Sequence, residues 1–152
     1  MTPPSVTAAT PAPARTPLSA HARWALFWTL FIGVGALAGT AMLWFFADRL
    51  GMAALLEPMR ALPFASVFFT SLAWPGLFLL VVIGATHLAT AALVWRRHRL
   101  APVAVLACGA ILMGWICVQF VIFPLNPLST AYFVFGLVEA ALGIGWWRRE
   151  RA

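Results

Sequence analysis

Three strongly polar side chains interrupt the long apolar stretches of this sequence, and they are its candidates for chemistry: His87, Gln119 and Glu139. The chain is 63% hydrophobic and only 9% charged, whereas soluble domains carry about 25% charged residues. This composition indicates an integral membrane protein. Polar groups inside a membrane are costly, and the residues that carry them are therefore candidates for function.

His87 and Glu139 are predicted to lie at one depth in the membrane. Each precedes an arginine cluster, at Arg96 and Arg148, by nine residues, or about 13 Å along a helix. Because an ionised carboxylate in hydrocarbon needs a partner, we expect Glu139 to face the bundle interior, about 4 Å or less from the His87 ring. Two interpretations stay open: a site that binds a proton or cation, and a hydrogen bond that fixes helix register.

Gln119 is expected nearer the opposite membrane face, close to Pro124. Its amide can hydrogen-bond a backbone carbonyl or a facing helix, which favours a structural role. The sequence contains no GxSxG, HExxH or glycine-rich phosphate motif and no pair of carboxylates within its apolar stretches. It therefore matches no catalytic template.

A metal or cofactor site is not predicted. A haem bound by two histidines needs a second histidine at the depth of His87, whereas His21 and His98 are expected at helix ends. Cys108 does share that depth. A metal site made of Cys108, His87 and Glu139 is conceivable on ligand chemistry but is not favoured.

Four apolar segments are each long enough to cross a bilayer, because about 20 helical residues span its hydrocarbon core. They predict an all-α, antiparallel four-helix membrane bundle within residues 21–152. The predicted spans are 24–47, 72–95, 101–123 and 131–147. Residues 1–20 are rich in proline, alanine, threonine and serine, a composition typical of a disordered tail.

Two stretches allow alternative interpretations. Residues 1–38 also fit a cleaved signal peptide that ends in small residues, although the apolar stretch continues to Phe46 and is longer than a signal peptide needs. The connection at residues 48–71 fits either a short amphipathic helix at the membrane interface or an irregular loop, since Pro58 and Pro63 limit any helix there.

The arginines are distributed unequally between the two membrane faces. With four spans, the N-terminal tail, the link at 96–100 and the C-terminal end share one face, which holds every arginine except Arg49 and Arg60. Because positively charged segments stay in the cytoplasm, both termini are predicted to be cytoplasmic, in the cytoplasmic membrane. The basic clusters serve as topology signals, so the expected partner is the lipid bilayer and not nucleic acid.

Small residues on the predicted helices allow close helix approach. Gly35 and Gly39 form a GxxxG spacing in the first span, and Gly136 and Gly143 lie in the fourth. We expect these glycines to pack helices together. Such faces also suit a membrane protein partner or a second copy of the chain.

Four motifs follow one another between residues 33 and 145. They are an LPF…PGL segment, a basic link, a WI-x-VQ segment at 115–119 and an aromatic–glycine start to the last helix at 132–136. Together they resemble a widespread set of small bacterial four-span membrane proteins with no assigned activity. The resemblance implies a four-helix membrane fold and an inner-membrane location, and it implies no chemistry.

Three hypotheses for function follow. The first is an accessory or structural membrane protein that acts through helix–helix contacts of its small-residue faces. The second is a small transporter that uses Glu139 with His87 for proton or cation coupling. A membrane enzyme or redox carrier is the third, and the lack of a catalytic motif makes it the least favoured.

A reporter that is active only in the cytoplasm should work when fused after Ala152 and also when placed at Ala20, because arginines flank both ends. Reporter activity measured in intact cells checks this. Activity at one end but not at the other would contradict the four-span topology, and cleavage after Ala38 would produce that result.

Overall fold

The protein's structure, a computed structural model, describes residues 17–151. Its four long helices are α1 (Ala20–Phe45), α2 (Ala73–Trp95), α3 (Ala101–Ile122) and α4 (Pro127–Arg151). All four are long and apolar enough to cross a membrane, and the described chain contains no strand. The predicted all-α bundle is thus confirmed. Residues 1–16 of the predicted tail lie outside the described residues.

Polar caps set where α1 and α4 begin, so these two helices start before the predicted apolar spans. The Ser19 hydroxyl accepts a hydrogen bond from the Ala22 amide at 3.2 Å, and α1 therefore starts ahead of the apolar stretch. Asn126 Oδ1 accepts from the Ser129 amide at 2.9 Å in the same way, so α4 starts at Pro127. Hydropathy locates the membrane-embedded part of a helix, whereas capping locates its end.

The connection between α1 and α2 consists of separate helical turns. These are a 3-10 helix at Met52–Leu55 and one-turn α-helices at Leu56–Met59 and Ala65–Phe68. It is therefore neither a single amphipathic helix nor a wholly irregular loop. The Trp44 indole donates a hydrogen bond to the Ala73 carbonyl at 3.0 Å and so ties the end of α1 to the start of α2.

Helix α2 changes its winding in the middle. Residues Leu79–Ala85 form a π-helical segment between the α-helical turns Ala73–Phe78 and Thr86–Trp95. π segments are rare and occur frequently at functional sites. This one ends two residues before His87.

The four helices form a ring in which each packs against the next, with α1 closing the ring against α4. The α3–α4 contact is the most extensive, and α2 and α4 stand diagonally opposite one another. Two apolar layers fill the interior. The layer nearer the arginine-rich ends comprises Ala22, Ala25, Val94, Ala101 and Val105. The layer nearer the α3–α4 link comprises Ile32, Ala36, Ile83, Leu112 and Ile116.

Glycines allow α3 and α4 to approach closely. A methyl group placed on Gly143 would lie 2.5 Å from the Leu106 backbone nitrogen, and one placed on Gly109 would lie 2.5 Å from the Ala140 nitrogen. Gly136 similarly faces the Met113 side chain. Gly136 and Gly143 therefore pack helices as predicted, and Gly109 completes the contact from the α3 side.

The GxxxG pair on α1 has a different environment. A methyl group on Gly35 would lie 3.3 Å from the Tyr132 hydroxyl, and one on Gly39 would lie 2.9 Å from the Leu79 side chain. Both glycines thus face side chains of other helices in the same bundle and not its outer surface. All four predicted packing glycines are used inside the bundle.

Replacing Gly143 or Gly109 with alanine should lower the free energy of unfolding by about 1–3 kcal/mol, because the new methyl group meets backbone atoms that cannot move aside. Gly114→Ala is the matched control on α3, since nothing lies within 4 Å of that position. Denaturant unfolding of purified protein in detergent measures the difference. Equal stability of the three variants would contradict close α3–α4 packing.

Candidate functional site

His87 and Glu139 meet at the centre of the bundle. His87 Nε2 lies 3.0 Å from Glu139 Oε2, and both side chains have 0% exposure. The contact predicted from their equal depths is thus confirmed. Because α2 and α4 stand on a diagonal, the two side chains reach across the bundle interior and do not join neighbouring helices.

The hydrogen bonds of the imidazole ring determine which of its nitrogens carries a proton. His87 Nδ1 lies 2.8 Å from the carbonyl oxygen of Ile83, which can only accept, so Nδ1 carries a proton. The Thr86 hydroxyl, 3.4 Å from Nδ1, directs its own proton to the Val82 carbonyl at 2.6 Å. Nε2 therefore either accepts a hydrogen bond from Glu139 or donates one to it.

One proton is consequently shared between Nε2 and Oε2. If it resides on Glu139, a carboxylic acid donates to a neutral imidazole; if it resides on His87, an imidazolium donates to a carboxylate. The pair is neutral overall in both arrangements. Without this proton, two acceptors would face each other at 3.0 Å and an uncompensated negative charge would be buried, which is strongly unfavourable.

The second carboxyl oxygen of Glu139 has no donor. Oε1 is buried and has no hydrogen-bond partner among the described residues. Leaving a buried acceptor unsatisfied costs about 1–3 kcal/mol. A buried polar atom without a partner in a native protein is explained by strain, by a catalytic role, or by a water or ion that bonds it, so Oε1 makes Glu139 a candidate site residue.

Polar neighbours from α2 and α3 complete this level of the bundle. Cys108 Sγ lies 3.1 Å from the Thr90 hydroxyl and 3.6 Å from the Thr86 carbonyl oxygen. Cys108 does share the predicted depth, because its partners Thr86 and Thr90 flank His87 on α2. The described residues nevertheless contain no group of three histidine, cysteine or acidic side chains arranged to hold a metal ion.

The elements that position the pair are the π segment of α2 and the glycine-lined face of α4. Ile83, whose carbonyl orients the His87 ring, belongs to the π segment. On α1, Gly33 lies beside His87, since a methyl group on it would come 3.4 Å from His87 Cβ. Sequence reasoning identified neither Ile83 nor Gly33, because backbone acceptors and close contacts carry no signal in residue type.

Gln119 takes part in a different contact, near the α3–α4 link. Its Oε1 accepts a hydrogen bond from the Ser129 hydroxyl at 3.1 Å, so it bonds a facing helix as its structural interpretation predicts. The structure does not bring it to the His87–Glu139 pair. His21 lies in the first turn of α1 and His98 lies in the link between α2 and α3, and neither reaches the pair.

A cavity of about 190 Å³ lies between the pair and the α3–α4 link. Gln119, Ser129 and Tyr132 supply its polar groups. Ile83, Leu112 and Ile32 line it as well and are at most 2% exposed. Sequence analysis did not predict this cavity, although Gly35, Ala36 and Gly39 line it and a run of such small residues on one helix is a signal that could have indicated it.

Glu139→Ala should lower the free energy of unfolding by about 1–3 kcal/mol more than Glu139→Gln. The glutamine amide can still donate to His87 Nε2, whereas alanine leaves that nitrogen buried and without a partner. Denaturant unfolding in detergent, followed by tryptophan fluorescence, measures both. The exposed Glu150 on the same helix provides the control, since Glu150→Ala should leave stability unchanged. Equal destabilisation by Ala and Gln at position 139 would contradict the hydrogen bond.

Comparisons of the chain with protein-family models, with curated proteins and with solved structures found no match. Any account of function therefore depends on the geometry of the site itself. That geometry consists of a buried histidine–glutamate pair in hydrogen-bond contact, a carboxyl oxygen without a partner among the described residues and an adjacent cavity.

Proposed function

We propose that this chain is a small proton-coupled transporter in which His87 and Glu139 bind and release one proton at the centre of the bundle. The observation that carries the proposal is the bond from His87 Nδ1 to the Ile83 carbonyl. This bond requires a proton on Nδ1 and leaves Nε2 facing the carboxyl group of Glu139. The pair can therefore lose and regain the proton between Nε2 and Oε2 while Nδ1 keeps its own.

Release of that proton gives a physical reason for movement. In the deprotonated pair, the Nε2 lone pair and the carboxylate repel each other. The free energy of the buried carboxylate then falls if it moves to a more polar environment. His87 lies on α2 and Glu139 lies on α4. If these two side chains move apart, the two diagonal helices shift position relative to each other. A protein couples proton binding to a conformational change when one of its elements has two arrangements and protonation favours one of them.

The π segment of α2 is where this movement can be taken up. In the π segment Leu79–Ala85 each backbone hydrogen bond spans one residue more than in an α-helix. The Ile83 carbonyl within this segment holds the His87 ring. A change in the ring's bonding therefore acts directly on the part of α2 whose winding is least regular.

Few other titratable groups face the pair. Helix α3 presents Cys108, and α2 presents only the hydroxyls of Thr86 and Thr90. Helix α1 presents Gly33. The remaining described carboxylates, Asp48, Glu57 and Glu150, are exposed, so proton exchange within the bundle interior is assigned to His87 and Glu139.

The proposal includes an orientation and a location. The arginines at 96–99 and 148–151 support cytoplasmic placement of both termini by the positive-inside rule, in a bacterial inner membrane as the resemblance implies. The α3–α4 link and the cavity beside it are then on the non-cytoplasmic side. The predicted tail extends into the cytoplasm in this arrangement.

A second candidate is an accessory membrane protein that acts through helix–helix contacts. The four glycines predicted for that role face other helices of the same bundle, so each already takes part in a contact within the chain. Gly114 is the exception among the glycines of α3, because nothing in the bundle lies within 4 Å of it and a partner helix can approach there. Loss of a co-purifying membrane protein in Gly114→Leu would favour this candidate.

The proton-coupling proposal is tested by nuclear magnetic resonance of the full chain with isotope-labelled histidine in lipid nanodiscs. We expect the His87 ring nitrogens to report the gain or loss of one proton as pH changes, and we expect this transition to be lost or displaced in Glu139→Gln. Glu57→Gln, which alters an exposed carboxylate in the α1–α2 connection, is the control. A His87 signal that never changes while the protein stays folded would contradict the proposal.

Proton movement is measured separately in proteoliposomes that contain a pH-sensitive dye. An acid pulse outside should acidify the lumen faster with the wild-type protein than with Glu139→Gln. This variant retains a hydrogen bond to His87, so a loss of flux reports on protonation and not on folding. Equal flux in the two proteins would mean that the pair does not carry protons.

A further inference from the structure

We propose that the cavity bounded by Gln119, Ser129 and Tyr132 is the vestibule through which water and protons reach the His87–Glu139 pair, from the α3–α4 link and not from the arginine-rich face. The inference rests on the proposed function, since it assigns a route to the same proton. It adds the side of the bundle from which water and protons reach the pair. Neither the pair itself nor the sequence indicates that side.

The vestibule has a polar outer end. Gln119 Oε1 accepts from the Ser129 hydroxyl at 3.1 Å, and the Tyr132 hydroxyl lies beside Gly35. Ser129 and Tyr132 precede Glu139 by ten and seven residues, or about 15 and 10 Å along α4. A polar opening at that height allows water to enter the bundle from the end of the helices.

The inner end of the vestibule is apolar and thin. Ile32, Ile83 and Leu112 line it and are 0%, 2% and 1% exposed. Ile83 precedes His87 by four residues, so this apolar layer lies about 6 Å along the helix from the ring. One layer of side chains therefore separates the cavity from the pair.

The opposite direction is closed by tight packing. Gly143 follows Glu139 by one helical turn, and a methyl group on it would lie 2.5 Å from the Leu106 backbone nitrogen. Beyond it, Ala101 and Val105 of α3 are 0% exposed. On the vestibule side Gly136 packs against α3 just as closely, so the two sides differ in the cavity, whose lining includes side chains such as Leu112 that can change rotamer. The asymmetry favours access from the vestibule.

Ile83 links the vestibule to the chemistry of the pair. Its side chain lines the cavity and its carbonyl oxygen accepts from His87 Nδ1. It also lies in the π segment of α2. A change in the winding of this segment moves the apolar layer and the ring partner together, so opening of the vestibule and rearrangement of the pair are parts of one movement.

The test is hydrogen–deuterium exchange of the His87 ring N–H signals in the full chain, reconstituted in lipid nanodiscs. Leu112→Ala should speed exchange about tenfold or more, because it removes part of the apolar layer and lowers the barrier to water. Val105→Ala is the matched control. It truncates an equally buried side chain of the same helix on the other side of the pair and should leave the exchange rate within about twofold of wild type.

A second variant tests the same route by blocking it. Gly35→Leu places a side chain in the cavity and should slow exchange, whereas Gly114→Leu, at a position with nothing within 4 Å, should not. Equal acceleration by Leu112→Ala and Val105→Ala, or no slowing by Gly35→Leu, would overturn the vestibule. Because Nδ1–H exchange does not require proton transport, these results are distinct from failure of the proposed function, which appears as a pH-independent His87 signal.

Discussion

The cost of placing a carboxyl group in hydrocarbon is the constraint on which this bundle depends. Glu139 cannot face lipid, so it fixes the rotation of α4 about its axis. The residues that share its face, Gly136, Ala140 and Gly143, then lie against α3. His87 fixes α2 in the same way, since Ile83, Thr90 and Val94 share its buried face. In a membrane, where every helix face is apolar, these two polar residues supply the orientation that amphipathic patterning supplies in soluble proteins.

Close helix packing makes the pair geometrically feasible. Two helices on a diagonal are further apart than neighbours, and a single histidine–glutamate contact must cross that gap. The backbone contacts at Gly109 and Gly143 draw α3 and α4 together, and Gly33 allows α1 to lie beside His87. With the helices packed this closely, Nε2 and Oε2 meet at 3.0 Å. The glycines and the polar pair are thus parts of one arrangement.

The sequence predicts the parts of this structure that depend on position along the chain. Apolar length gave the four helices, and equal distance from the arginine clusters gave the contact between His87 and Glu139. The sequence does not predict the features that depend on how each helix is rotated about its axis or on how tightly it is wound. The diagonal placement of the pair, the π segment at Leu79–Ala85 and the cavity beneath Gln119 arise from packing among faces that are all apolar, and residue types on such faces do not distinguish inside from outside.

The choice of glutamate argues against a purely structural role for the pair. A hydrogen bond that only fixes helix register needs one donor and one acceptor, and a glutamine at position 139 supplies a donor to Nε2 without a titratable group. Glutamate instead places a shared proton between two buried atoms and leaves Oε1 without a donor. Both features cost free energy that a structural contact has no reason to require. They are the features that a site needs if it is to take up and release a proton, and a cavity lies beside this pair on the side of the α3–α4 link.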